Sequence, residues 1–390
     1  MRTTSSIVSN DTGLQTNKVK RLHLPTAVLG ISLVPSDHQR AMVACMDGVY
    51  DLNLESGESA HRYSHDSYVS GIEMSPQGQH VVTCGYDGKL VWFDTQQSKI
   101  VHSTKVMEHW CWDLAIGQTI AGPSAAKTSD ENSSNKTLAA PGKKRTRVAV
   151  CGGRYLAGDY SYHPRPDSQP TVMVFDLDSH QQVAEFSFLP PVQCVAISRD
   201  GIHVAAANLM GDVAVWNIET KEQVATWNTP DFTAFGVIKS HCQIGGIYAM
   251  QFAENDDLLV CGMGPMHDPM AGNGKQRWQQ FRWRDAAEVE KVRQSRDDQV
   301  GEGLMETLCF MPQGNRFVMG GRLRGGAWST AFFDLESGDL VHSIKSDSRV
   351  TQAIFGSNGN RLYLAGAINQ SADPNHKFGV VDVYDVTEQA

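Results

Sequence analysis

An aromatic residue followed by a polar one closes a short apolar alternation seven times along the chain. The pairs are Tyr50-Asp51, Phe93-Asp94, Phe175-Asp176, Trp216-Asn217, Trp283-Arg284, Phe333-Asp334 and Tyr384-Asp385. Such a repeat restricts the fold more than composition does, because each unit must be one supersecondary structure that buries its apolar face against its neighbours. The alternation has period two, which specifies strands and excludes helical repeats. The clearest unit starts at Gly71 and reads GIEMSPQG, QHVVTCGYDG, KLVWFD, TQQSKIVHSTK. That is four strands, with Pro76-Gln77-Gly78 and Asp87-Gly88 supplying turn chemistry. The bend after the aromatic pair recurs as DTQQSKI, DLDSHQQ, NIETKEQ and DLESGDL, and first strands recur as IEMSPQG, VAISRDG, LCFMPQG and AIFGSNG. Repeated Asp94, Asp176, Asp334 and Asp385 therefore read as turn-binding structural residues, not as catalytic carboxylates.

Seven such sheets predict an all-β, seven-bladed β-propeller with four-stranded antiparallel blades. The last unit stops at DVYDVTEQA, directly after a third strand, so its fourth strand is missing. The N-terminal VKRLHL supplies one: Val19 and Leu22 match Val183 with Phe186, Val224 with Trp227, and Val341 with Ile344. A ring completed in this way removes an exposed edge and ties the termini together. The expected organisation is a flexible N-terminal tail over 1–17 and a single propeller over 18–390. Segment 117–146, poor in bulky apolar residues, reads as a disordered insertion between the first and second strands of blade three. Its GKKRTR end reads as a solvated basic stretch.

These features resemble the WD-repeat (G-protein-β-like) β-propeller family, over nearly the whole chain from about Lys18 to Ala390. Departures mark a divergent member. No Gly-His dipeptide occurs, most blades carry Phe or Tyr in place of the signature Trp, and the one literal Trp-Asp pair, Trp112-Asp113, falls in a first strand. The buried His–Asp network of the family thus has no evident counterpart in the sequence. The resemblance implies a non-enzymatic scaffold that binds a protein partner through long loops on one face, without a cofactor. The alternative is a propeller enzyme or a binder of a small ligand or metal that uses the central funnel on the same face.

A formal net charge of -9 argues against a general nucleic-acid or acidic-membrane partner, which would require a basic face. The N-terminus has no apolar run fit for a signal peptide, and no stretch reaches the ~20 apolar residues of a membrane span, so a cytoplasmic protein is expected, as a monomer or weak oligomer. Cys45, Cys84, Cys151 and Cys261 share one slot in different repeats, too far apart for bridging, and read as small buried fillers. The candidate metal ligands His163, His241, Cys242, His267 and His376 lack any convergent spacing, so no metal site is expected. GPSAAKT and GNGKQ miss the phosphate-loop pattern, and no Gly-x-Ser-x-Gly elbow occurs. No catalytic residue is assigned.

Function on a repeat scaffold is sought where the repeat is interrupted. The family resemblance implies that loops joining second to third strands and fourth strands to the next blade share one face, and the long ones span 155–170, 264–278, 322–329, 368–379, 108–110 and 229–246. They raise this face over blades three to seven. Their aromatic and arginine residues are the candidate partner contacts: Trp110, Tyr160, Tyr162, Arg165, Phe232, Phe235, Arg322, Arg324 and Trp328, together with His267. Packing of the loops onto the scaffold is the competing reading for each of them.

Overall fold

The computed structural model describes residues 13–119, 144–153, 170–235, 243–268, 273–284, 288–301, 303–312, 315–323, 326–373 and 375–388. It forms seven antiparallel sheets in chain order. Blades one to four occupy residues 28–63, 69–105, 111–186 and 192–228, and blades five to seven occupy 233–294, 303–344 and 349–388. Blade five has a fifth strand, Thr233–Phe235, because the connection after blade four folds back on the first strand of blade five as a hairpin. Blade seven is completed by Leu14–Leu24, which pairs with Gly379–Glu388.

Each sheet has two apolar faces, so each gap between blades must hold a core. Seven hydrophobic clusters fill the seven gaps, each built from two neighbouring blades. Leu22 and Leu24 pack with Val28, Val43, Tyr363 and Val381 between blades seven and one. Leu14 packs with Phe332, Val350 and Tyr384 between blades six and seven. The closing strand therefore contributes to two gaps at once.

Two irregularities recur in every blade. In each fourth strand one residue is skipped opposite the third: Val19, Arg62, Val101, Val183, Val224, Val292 and Val341. Exposure varies at this position, and Val341 is buried there. Val19 and Val224 are exposed, whereas Leu22, Phe186 and Ile344 are buried as anticipated. In each first strand a residue is likewise skipped opposite the second: Leu29, Ser70, Trp112, Gln193, Tyr248, Glu306 and Thr351. A bulge bends its strand and redirects a side chain, and here all seven extra residues turn to the central channel.

The repeated carboxylates do serve turns. Asp94 accepts the N–H groups of Gln96 and Gln97, Asp176 that of Ser179, and Asp334 those of Glu336 and Ser337, at 2.7–3.0 Å. Two members differ. In blade one the turn acceptor is Asn53, and Asp51 instead holds Arg40 and Arg62. Asp385 pairs with Arg361 at 3.3 Å. Trp283 lies just beyond its third strand, which ends at Arg282.

The four cysteines sharing one slot are buried, and no disulfide forms among the described residues. The propeller begins four residues before the expected boundary, at Leu14. Residues 1–12 and 120–143 lie outside the described residues. No helix among the described residues is long and apolar enough to cross a membrane.

Candidate binding face and central channel

Antiparallel order places every second-to-third turn and every blade-to-blade connection on one face of the ring. That face is tied to the scaffold by polar contacts between the two kinds of loop. In blade two, His65 from the connection before the blade sits fully buried, its Nδ1 3.1 Å from Asp87 Oδ1 and its Nε2 2.9 Å from Thr83 Oγ1. Tyr63 OH lies 3.0 Å from the same Thr83 Oγ1. Burial alone pushes the Asp87 carboxyl up, but His65 and the N–H groups of Lys89 and Asp66 outweigh it and hold the group down at about 2. A buried His–Asp network is thus present in this blade, against the expectation from the missing Gly-His dipeptide. The residue preceding His65 is Ser64, so the dipeptide was the wrong signal and the paired Asp87-Gly88 turn the better one. Simpler versions recur: Thr26 donates to Asp47 at 2.6 Å, and Asn208 donates to Asp212 at 3.0 Å.

The structure sorts the expected contact residues by exposure. Phe232 is fully buried in the gap between blades four and five, and Trp328 is fully buried between blades five and six, its indole N–H donating to the Gln299 carbonyl at 3.4 Å. Both hold loops down, because burying an aromatic ring against the scaffold is the cheapest way to order a long connection. Trp110 is 38% exposed and Arg322 is exposed. Phe235 and His267 fall within strands, Thr233–Phe235 and Leu258–Asp268. Tyr160, Tyr162, Arg165 and Arg324 lie outside the described residues, as do His163, His241 and Cys242. His376 Nε2 lies 3.1 Å from the Asn369 carbonyl, a contact within its own loop. Segment 264–278 is largely a strand hairpin, Leu258–Asp268 against Asn273–Arg282, with Met266 opposite Gly274. Register with the blade below continues into it, which alternating sequence alone did not reveal.

Trp110 belongs to a group that sequence reading only partly found. Its ring is 5.5 Å from Trp112 and 5.7 Å from Tyr86, and Tyr86 is 5.1 Å from Trp112 and 5.8 Å from Tyr68, itself 45% exposed. Four rings at blades two and three therefore form one cluster, and two of them, Tyr86 and Trp112, line the channel. Tyr68 and Tyr86 sit beside short turns, where no insertion drew attention to them. Across the channel, Arg349 Nε donates to Glu306 Oε2 at 2.6 Å.

The channel is a cavity of about 760 Å³ lined by the first strands of all seven blades. Their inward edges would leave backbone N–H groups open, and side chains of the preceding blade accept several of them. Asp113 accepts from Val195 at 3.1 Å, Thr307 from Ala353 at 3.0 Å, Gln251 from Phe310 at 3.2 Å and Ser32 from Met74 at 3.0 Å. Glu73 and Asp113 face each other's charge in this lining. Burial, with the charge of Asp113 added, pushes Glu73 up to about 8, and burial pushes Asp113 up to about 7 despite its backbone hydrogen bonds. Among the described residues, no group of three or more His, Cys, Asp or Glu could hold a metal ion.

Residues 57–94 match the family model described as WD domain, G-beta repeat. The match runs from the fourth strand of blade one through the third strand of blade two, and it contains His65, Thr83 and Asp87. No curated protein matches the chain.

Proposed function

Because this chain belongs to the WD-repeat β-propellers, a class that works for the most part by binding, we propose that it is a non-enzymatic scaffold whose protein partner docks on the face bearing the Trp110 cluster. The observation that carries this reading is the group of four neighbouring rings, two of them more than a third exposed, on the face of the blade-to-blade connections. Rigid aromatic side chains bury much area at small entropic cost and dominate binding energy at interfaces. Arg322 and the long loops of blades three to seven extend the contact area around them. A net charge of -9 favours a partner other than nucleic acid, and a cytoplasmic setting accords with seven free cysteines, six of them buried, among the described residues.

The test is paired affinity capture from the native cell, with wild-type protein beside a Tyr68→Ala, Trp110→Ala double variant. A partner that co-purifies stoichiometrically with wild type and is lost from the variant, while the variant keeps a cooperative thermal melt, is the expected result. Equal recovery on both baits would remove this face from the reading.

A further inference from the structure

We propose that the central channel, at its blade-two and blade-three side, is a binding site for an organic cation, an alkylammonium or guanidinium group that sits against Glu73 and Asp113 below the faces of Tyr86 and Trp112. The inference rests on the reading of this face as a binding face. Charge accounting within the channel is its first support. Arg349 is engaged by Glu306, and Arg199 lies 3.2 Å from Glu254. Among the described residues no salt bridge reaches Glu73 or Asp113, so the lining keeps two carboxylates without a cation. Two acids lining one cavity are costly while ionised, and either a proton or a bound cation relieves them.

Three further observations point to a ligand. Gln193, 9% exposed and part of the channel lining, has a side-chain Nε2 with no hydrogen-bond partner. It lies two residues before Val195, whose N–H binds Asp113, so an unused donor stands close to the acidic pair. An amine or guanidinium carried on a chain with a carbonyl or hydroxyl would use both. The aromatic rings are the second: Tyr86 and Trp112 line the same cavity with ring centres 5.1 Å apart, and a cation over such faces gains further attraction where water is scarce. The third is size, since about 760 Å³ accommodates a small molecule or a long side chain but not a folded segment. The elevated proton affinities of Glu73 and Asp113 accord with this picture, since a bound cation restores their charge and binding then releases protons. The titratable groups that feel the pair's charges are the Cys309 thiol beside Glu73 and the buried Cys84, Cys151 and Cys194 thiols beside Asp113, and the Glu306–Arg349 ion pair lines the same cavity.

The cation has two sources, a free polyamine or a basic side chain of the docked partner, and two probes separate them. Spermidine and a tetralysine amide are titrated calorimetrically into the full-length protein and into Glu73→Gln, Asp113→Asn and Glu58→Gln, the last an exposed acid on the opposite face. Asparagine at 113 keeps an acceptor for the Val195 N–H. The expected result is one saturable site for at least one probe, with proton release into the buffer and quenching of tryptophan fluorescence. Its affinity should fall roughly 30-fold or more in either channel variant and stay unchanged in Glu58→Gln. Tighter binding of the peptide assigns the site to a partner's side chain, and tighter binding of spermidine to a free amine. Absence of a saturable site for both probes, or equal affinity in the channel variants, overturns the proposal. The scaffold reading fails separately, by equal partner recovery on the Tyr68→Ala, Trp110→Ala bait, so the two outcomes do not mask each other.

Discussion

The side chains that decide stability most sharply in this ring are polar ones in dry surroundings. The His65 side chain is completely buried, and its removal strands Asp87 and Thr83 without their shared partner. His65→Ala should cost about 1–3 kcal/mol, read as a lowered melting temperature, because an unsatisfied buried group forfeits its desolvation. Glu73 acts in the opposite direction. Its native carboxyl keeps a proton up to about pH 8 while the unfolded chain releases it near 4.5, so the native state binds more protons between those values and stability falls as pH rises through that window. Glu73→Gln should flatten the pH dependence of the melting temperature from 5 to 8, and an unflattened slope would assign the effect to another group. Burial raises the Cys45, Cys84, Cys151 and Cys261 thiols far above their ordinary value, so a thiol reagent should modify them only after denaturant is added. The filler role of these cysteines was legible from their shared slot. The role of Glu73 was not, since a polar residue in an alternating strand reads as solvent-facing until the ring places that strand on a narrow channel.

At the scale of strands and turns, alternation correctly located every blade but missed the bulges, because a skipped residue leaves the sequence pattern intact on both sides. Val224 and Val341 both sit at the bulge, yet Val224 is exposed and Val341 buried, so alignment alone does not fix which bulge residue faces the core. It also sends Trp112 and Glu306 to the channel, which made a misplaced signature pair into a functional candidate. Turn chemistry was more readable. Gly88 has φ 75°, and a Cβ there would run into the Met107 carbonyl, so Gly88→Ala should destabilise blade two by about 1–3 kcal/mol in a denaturant titration. The long connections were read as loops of partner contacts, yet the hairpins at 233–252 and 258–282 extend the sheet, and the buried Phe232 and Trp328 anchor their surroundings. An aromatic residue in an insertion has two outlets, core or partner, and only exposure distinguishes them.

For the molecule as a whole, the strand Leu14–Leu24 holds the ring shut. Leu14, Leu22 and Leu24 are buried at 5%, 5% and 0% exposure, and each contributes about 1.5–3 kcal/mol by leaving water. Deleting residues 1–25 should therefore lower the melting temperature sharply, and an unchanged melt would contradict the closure. Polar contacts reinforce it: Asp382, fully buried, accepts from Arg21 Nε at 2.6 Å and faces Lys18 Nζ at 2.9 Å, while Arg21 also reaches Asp347. Arg21→Ala should cost about 3 kcal/mol, since it leaves a buried carboxylate half-compensated.

The pairing of Leu14 with Glu388 carries a temporal consequence. Leu14–Leu24 cannot find its neighbour until Gly379–Glu388 has been made, so the five gaps between blades one and six can form during synthesis while the two gaps lined by blade seven wait for that strand. Until then two blade edges stand open, and a contact this distant in sequence forms slowly. The nascent ring is at its most aggregation-prone in that interval, because its unpaired strand edges and apolar gap faces are then exposed.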